Sequence, residues 1–528
     1  MSLQFITGNS GNGKTKYLFN RIVKEAKANP RDNYLVIVPE QFTMQTQRQL
    51  VDLSENKAIM NIDVLSFKRL AYRVFDELGI TNLTVLEETG KNLVLRKLAA
   101  QEADKLGVIG RNLNRIGYIS EVKSLLSELV QYNISPEELG RYIASGRLSD
   151  TLSDKLKDVL VLYEAFEKFM QDKYITAEEI LNVLSNVAEE SAILRNSVIA
   201  FDEFTGFTPI QNQLIKKLFV ISKKIYVTLT IDCREDIFKS RGMQELFDMP
   251  KRTVKSLTEM AAFYGIEVEE PIILDKNYRL AENEELSFME QQLFRKRRCS
   301  FKKAPKHIHI DCLRDPKQEL TKIARRINEL VRNENLRYRD IAIVTGDVNI
   351  YAGYVREIFD KYNIPYFIDA TQEILFHPFI EFIRSIPDIA TQNFSADAVF
   401  RFLRCGFSEL LGSEIDVLEN YVLACGVRGK SAWDKKWVRL PKHKAGYDLE
   451  LLNQSREYIM ELLKPVYQVF SDKKSTVKDY VLAIYKLIVL LDIPDKLAKK
   501  EQALLDAGDQ TASKEYGQIY KIVMQLFE

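Results

Sequence analysis

Cysteine, histidine and tryptophan are scarce in this chain of 528 residues, which holds five, four and two of them. Cys233, Cys299, Cys312, Cys405 and Cys425 form no Cys-X-X-Cys pair and the histidines are equally scattered, so neither a zinc site nor a disulfide framework is indicated. An excess of one sign of charge is missing too. Seventy-five lysines and arginines face 74 aspartates and glutamates, so any surface for nucleic acid has to be a local patch. The N-terminus enters a strand-like run with no charged and apolar leader, and the most apolar late stretch, Tyr480 to Ile493, is interrupted by Lys486. These absences predict a cytoplasmic protein without membrane spans.

What is present suits a folded protein: 46% of residues are hydrophobic and 28% charged, which leaves little room for long disorder. The length predicts roughly three or four domains. Near the start, Gly8-Asn9-Ser10-Gly11-Asn12-Gly13-Lys14-Thr15 spells a complete phosphate-binding loop. Its glycines let successive backbone N–H groups curl around phosphates, Lys14 reaches the outer phosphates, and the Thr15 hydroxyl is placed to ligate Mg2+. The setting is the one the motif requires. Leu3 to Ile6 alternate like a strand, and Leu18, Ile22 and Ala26 follow at helical spacing. A bound nucleoside triphosphate is expected.

Further strand-like runs at Leu35–Val38, Val198–Phe201, Ile225–Ile231, Ile308–Cys312, Ile341–Thr345 and Ile364–Asp369 are mostly separated by helical patterns, as in a parallel α/β nucleotide-binding core. Residues 1–84 with 196–294 read as a first such domain. Residues 85–195 read as a helical insertion, 295–375 as the start of a second α/β domain, and 376–528 as mainly helical. The chain stops within an amphipathic pattern at Phe527-Glu528, with no capping or tail signal, and reads as truncated.

Val198-Ile-Ala-Phe-Asp202-Glu203 is an apolar strand ending in two acids. In phosphoryl transfer one such carboxylate, here Asp202, holds the metal with Thr15, and the next, Glu203, polarises the attacking water. Arg279, in Leu274-Asp-Lys-Asn-Tyr-Arg279, is placed to meet the charge developing on a γ-phosphate. A third set comprises Gln41 and Thr43 after the second strand, Phe67, Arg69 and Tyr72 in a following segment, and Phe207 past the acidic strand. Rings that stack on bases beside polar tips that read base edges suit single-stranded DNA, although the same rings could equally be core. Trp433 and Trp437 form either a stacking platform or a helix packing face. The basic tract Arg295–Lys306 is either a phosphate contact or a solvated linker.

The ordered set of phosphate loop, Val38-Pro-Glu-Gln-Phe-Thr43, Ser66-Phe-Lys-Arg-Leu-Ala71, Phe201-Asp-Glu-Phe204 and Asn277-Tyr-Arg279 resembles superfamily 1 helicases. More narrowly, it resembles the B subunits of bacterial AddAB (RexAB) helicase-nucleases. The resemblance implies two RecA-like parallel-sheet domains with large helical insertions, ATP and Mg2+ as ligands, DNA as substrate, and an A subunit as motor and heterodimeric partner. It further implies double-strand-break processing for recombinational repair, with this subunit scanning the single strand for a Chi hotspot. The family also carries a C-terminal nuclease domain with a 4Fe-4S cluster. Neither its motif nor its clustered cysteines occur here, as expected of a fragment ending before them.

The sequence departs from an active motor at three points. Seven residues before Gly8 leave no room for an adenine-reading glutamine, Phe204-Thr205-Gly206 replaces the usual Phe-Gln-Asp, and Thr230-Ile231-Asp232-Cys233 replaces a Gly-Asp coupling segment. A binding module that scans DNA is therefore the first expectation. An ATP-driven translocase is the second, and an unrelated phosphate-loop ATPase the third.

Overall fold

Strands covered on both faces require mostly apolar runs, as in Tyr34–Ile37 and Val198–Phe201, with few polar residues among them. In the computed structural model they form the centre of the first of two compact units, Met1–Asp311 and Cys312–Glu528. The structure describes residues 1–81, 84–108, 110, 117–145, 148–171, 174–295, 299–370, 373–440 and 446–527.

The strands are β1 (Ser2–Gly8), β2 (Tyr34–Ile37), β3 (Ile62–Leu65), β4 (Val85–Leu86), β5 (Ile175–Thr176), β6 (Val198–Phe201), β7 (Lys224–Thr230), β8 (Glu267–Val268) and β9 (Ile272–Leu274). Seven of them make one parallel sheet in the order β3-β2-β6-β7-β1-β8, with β9 also pairing β1. The period-two geometry of a strand sorts its residues between two cores. Leu3, Phe5, Ile199, Phe201 and Val227 face one side, and Ile6, Tyr34, Val36, Ala200 and Tyr226 face the other.

Helices α1 (Lys14–Ala28) and α2 (Thr43–Leu53) cover the second face through Leu18, Phe19, Ile22 and Leu50. Helix α3 (Phe67–Leu78) covers the first through Leu70, Ala71 and Val74. Next come α4 (Glu88–Gln101), α5 (Tyr118–Gln131), α6 (Pro136–Ala144) and α7 (Asp150–Met170), which bury a core of their own around Leu95, Leu126, Leu162 and Phe166. This helical group leaves and rejoins the sheet body at the β4–β5 pair, where Val85 lies opposite Ile175. Helices α8 (Ile180–Val187), α9 (Pro209–Ile221) and α10 (Asp248–Phe263) complete the layer on the first face, and α11 (Glu284–Gln292) ends the unit's helices. The α/β class with a parallel sheet is the expected one.

The second unit corrects an expectation. Ile308–Cys312 (at the junction of the units), Ile341–Thr345 and Ile364–Asp369 belong to no ladder among the described residues, so the only large sheet is that of the first unit. Helices α12 (Pro316–Asn333) and α13 (Val348–Lys361) bury Leu320, Ala324, Ile358 and Phe359 together with Ile364. Val344 and Phe367, on the extended segments, stay 93% and 88% exposed. Apolar runs alone do not make a sheet; each needs a neighbour for its N–H and C=O groups. From α14 (Pro378–Thr391) onward the unit is helical around Phe379, Phe382, Phe402, Ile459 and Ile488. Trp433 and Trp437 are buried there with ring centroids 5.2 Å apart, which makes them packing residues and not a stacking platform. No helix among the described residues is long and apolar enough to cross a membrane.

A candidate nucleotide site at the strand ends

In open α/β sheets ligands settle beyond the carboxyl ends of the strands, where loops and helix N-termini gather. Here β1 runs into residues 8–13, whose last member, Gly13, caps α1 with φ of 80°. Gly11, at φ of 89°, lies so close to the segment after β9 that a Cβ would come within 2.8 Å of Asn277 Oδ1. Only glycine fits these two positions. The segment after β9 holds the loop from outside: Asn277 Nδ2 donates to the Ser10 carbonyl (3.0 Å) and the Tyr278 N–H to the Gly11 carbonyl (3.0 Å).

Lys14 donates from Nζ to the carbonyls of Gly8 (3.1 Å) and Asn9 (3.0 Å). Burial lowers its pKa, opposed by the carboxylates of Glu203 and Asp202. Asp202, just past β6, is 1% exposed. The Thr228 hydroxyl on β7 donates to its Oδ1, while Oδ2 has no hydrogen-bond partner among the described residues. Glu203 follows in the left-handed conformation, φ 64°, and accepts from the Thr15 hydroxyl at 3.3 Å. A buried, unpartnered carboxylate oxygen with the Thr15 hydroxyl opening onto the same cleft fits Mg2+ with phosphate oxygens, which needs only one or two protein ligands, and leaves the Lys14 ammonium to the phosphates. No group of three or more potential metal-binding side chains occurs among the described residues.

One cleft of about 660 Å3 is lined by Lys14, Thr15, Asp202, Glu203, Tyr278 and Arg279, so all six side chains open onto a shared space. Arg279 is exposed at its rim. Tyr278 is a residue that sequence reasoning missed. Its ring is 65% exposed and would lie 3.5 Å from a Cβ on Gly13, close enough to offer a flat apolar face to whatever enters. The signal that marks it is its place inside the Asn-Tyr-Arg triplet.

The Asp202 carboxyl is pushed above its ordinary value of 3.8, first by burial and then by neighbouring Glu203, against the Thr228 hydrogen bond. A carboxyl raised on folding adds stability below its unfolded pKa and loses it as pH climbs through the folded value. Asp202→Asn is therefore expected to raise the melting temperature at neutral pH, where the wild type must bury a charge, and to abolish the magnesium dependence of nucleotide binding. Thermal melts across pH, with and without MgATP, check both halves.

The sequence profile of the family described as ADDB, N-terminal, matches residues 5–290. The chain belongs to the AddB family. Among its relatives, the B subunit of the ATP-dependent helicase/deoxyribonuclease of Lachnoclostridium phytofermentans is 38% identical over the whole of this chain, which covers 47% of that protein. The proteins of the same name from Clostridium acetobutylicum and Clostridioides difficile are 32% and 31% identical, again over the whole chain and 46% of each relative. The chain thus spans about half the length of the curated relatives it matches.

In this AddB-family chain the residues expected to read DNA divide into two groups. Gln41 is exposed on the turn after β2, and Tyr72 on α3 is 40% exposed. Arg69 is also exposed, but its Nε donates to Glu40 Oε1 at 2.9 Å. The Ser66 hydroxyl, with Arg69, holds the Glu40 carboxyl below its usual range. Thr43 is 4% exposed and spends its hydroxyl on the Glu40 carbonyl (3.0 Å). Phe67 is 7% exposed and packs on Phe201, Phe204 and Phe207 with centroids 5.8, 5.6 and 6.3 Å away. Of the two expectations for these rings, the second is realised: Phe67 and the half-buried Phe207 are core, because strand β6 and the turn after it bring partners that α3 cannot supply. The face of Phe67 is not available to bases in this conformation, nor is the hydroxyl of Thr43. Two residues of the basic tract are engaged in ion pairs, while Lys302 and Lys306 are exposed. Arg295 pairs with Asp232 (2.9 Å) and Lys303 with Glu284 (2.5 Å), while Lys296, Arg297 and Arg298 lie outside the described residues.

Proposed function

We propose that this chain is the ATP-binding, helicase-like part of a B subunit in a helicase-nuclease that processes double-strand DNA breaks. One observation carries the reading. Groups from β1, β6, β7 and the segment after β9, far apart in sequence, meet around the unpartnered Asp202 oxygen in a cleft large enough for a nucleotide. In this assignment the loop N–H groups and Lys14 take the phosphates, Thr15 and Asp202 hold Mg2+, Glu203 orients water, and Arg279 faces the γ-phosphate. The metal supplies neutralisation of phosphate charge. Tyr278 offers its ring to the base.

Residues 1–84 with 196–294 then form a first RecA-like domain and 85–195 its helical insertion. Residues 295–375 are assigned to the start of a second such domain, although their apolar runs form no ladder among the described residues, and 376–528 to a further helical insertion, in a cytoplasmic heterodimer with an A subunit. Single-stranded DNA is the substrate scanned, with Gln41, Arg69 and Tyr72 as the reading residues left exposed. An alternative is a working translocase, favoured by Glu203 opening onto the same cleft as Lys14 and Thr15, where a carboxylate can polarise an attacking water. Unwinding by the assembled complex that survives Lys14→Ala would exclude it.

The deciding experiment is single-strand binding by the complex of this chain with its A partner, comparing hotspot and scrambled oligonucleotides. Wild type is expected to prefer the hotspot, and Arg69→Ala with Tyr72→Ala to lose that preference by about tenfold, the worth of one or two base contacts. Equal binding of both oligonucleotides by wild type would sink the scanning role.

A further inference from the structure

A carboxylate is tied to the back of the phosphate loop. Glu290 on α11 accepts from Asn9 Nδ2 at 2.9 Å, across 281 positions of sequence. Asn9 itself is 5% exposed and fully engaged. Its Oδ1 accepts from the Cys233 N–H (2.9 Å) and its carbonyl from Lys14 Nζ (3.0 Å). Glu290, Asn9 and Lys14 therefore form one relay, and the Glu290 charge is felt at the Lys14 ammonium.

Two features mark this placement. Glu290 sits in the last turn of α11, where the helix dipole disfavours an anion. Its negative charge also stands behind a loop that, on the nucleotide reading, must accept a polyanion, so it opposes the ligand's charge. Helix α11 is fixed in place, since Arg234 Nη2 donates to the Gln291 carbonyl (3.0 Å) and Arg234 is itself held by Asp232 (2.6 Å). Burial pushes the Asp232 carboxyl up, yet hydrogen bonds from Arg234 and Arg295 overcome it and hold the group well below the usual range. The carboxylate of Glu290 is thus presented to the loop by a rigid mount.

The geometry points to Glu290 as an affinity-setting residue of the nucleotide site, one whose charge opposes polyphosphate entry and opposes it more for a triphosphate than for a diphosphate. Together with its Asn9 hydrogen bond, it keeps Lys14 on the loop carbonyls until phosphates displace it. This rests on the reading of the loop as a nucleotide site.

The test is titration of the full chain with ATP, ADP and AMP, each with Mg2+, for wild type, Glu290→Gln, Glu290→Ala and Lys14→Ala, with melting curves to match folded fractions. Glutamine keeps an acceptor for Asn9 and removes only the charge. Glu290→Gln is expected to tighten ATP by roughly three- to tenfold, ADP by less and AMP hardly at all, with the gain shrinking as salt is raised. Unchanged affinities, or equal weakening of all three nucleotides, would overturn the proposal. So would a glutamine variant that behaves as wild type while the alanine variant binds weakly, since Glu290 would then be only an acceptor for Asn9. If wild type and Lys14→Ala alike bind no nucleotide, the nucleotide reading itself falls, and this inference with it.

Discussion

Replacing Lys14 by alanine is expected to weaken MgATP binding by about ten- to a hundredfold, with melting behaviour near that of wild type. The size follows from charge-assisted hydrogen bonds, each of which contributes about 1.5–3 kcal/mol, where 1.4 kcal/mol is a factor of ten. The selectivity follows from what holds the empty loop. Its shape is set by Gly11, Gly13 and the Asn277 and Tyr278 hydrogen bonds, none of which involves the Lys14 side chain. Lys14 holds two loop carbonyls that water can serve in its place. Titration of a fluorescent ATP analogue decides the matter, and a variant that binds as tightly as wild type would remove the phosphate-loop assignment.

Phe67→Ala is expected to destabilise the first unit by about 3–5 kcal/mol, the range for deleting a large aromatic side chain from a packed core. Its ring touches three other phenylalanines, and those partners cannot all collapse into the space it leaves, because Phe201 is held in the sheet. Arg69→Ala and Tyr72→Ala, on the exposed side of the same helix, should each shift stability by less than about 0.5 kcal/mol. Denaturant unfolding of the three variants separates the groups. If Phe67→Ala unfolds like wild type yet loses DNA, the ring is a contact residue after all. Otherwise, any loss of DNA binding in that variant reports a damaged fold.

These two positions mark where the sequence was legible and where it was not. The phosphate loop is local information, since its glycines, lysine and threonine are fixed by the backbone path of eight consecutive residues. Strands β2 and β6 were readable because burial on both faces leaves uninterrupted apolar runs, and β1 and β7 because only single polar residues such as Gln4 and Thr228 break theirs. Phe67 was ambiguous because its neighbours lie more than 130 positions downstream, and helical spacing does not say which face they cover. The pairing of Arg69 with Glu40 and of Asn9 with Glu290 is equally silent in the chain. Two-residue strands such as β4, β5 and β8 are too short to carry a period. The runs at 341–345 and 364–369 showed the opposite failure: a strand-like composition without a neighbouring strand to bond.

The β4–β5 pair has a consequence for how freely this molecule can change size. The chain departs at Val85–Leu86 and returns at Ile175–Thr176, side by side, so everything between is a closed excursion with both ends pinned at one place. Closing a loop costs entropy only as the logarithm of its length, about 0.6 kcal/mol per doubling for a flexible one. Helices can therefore be gained or shed inside the excursion for little free energy, while the strand ends that carry Lys14 and Asp202 keep their register.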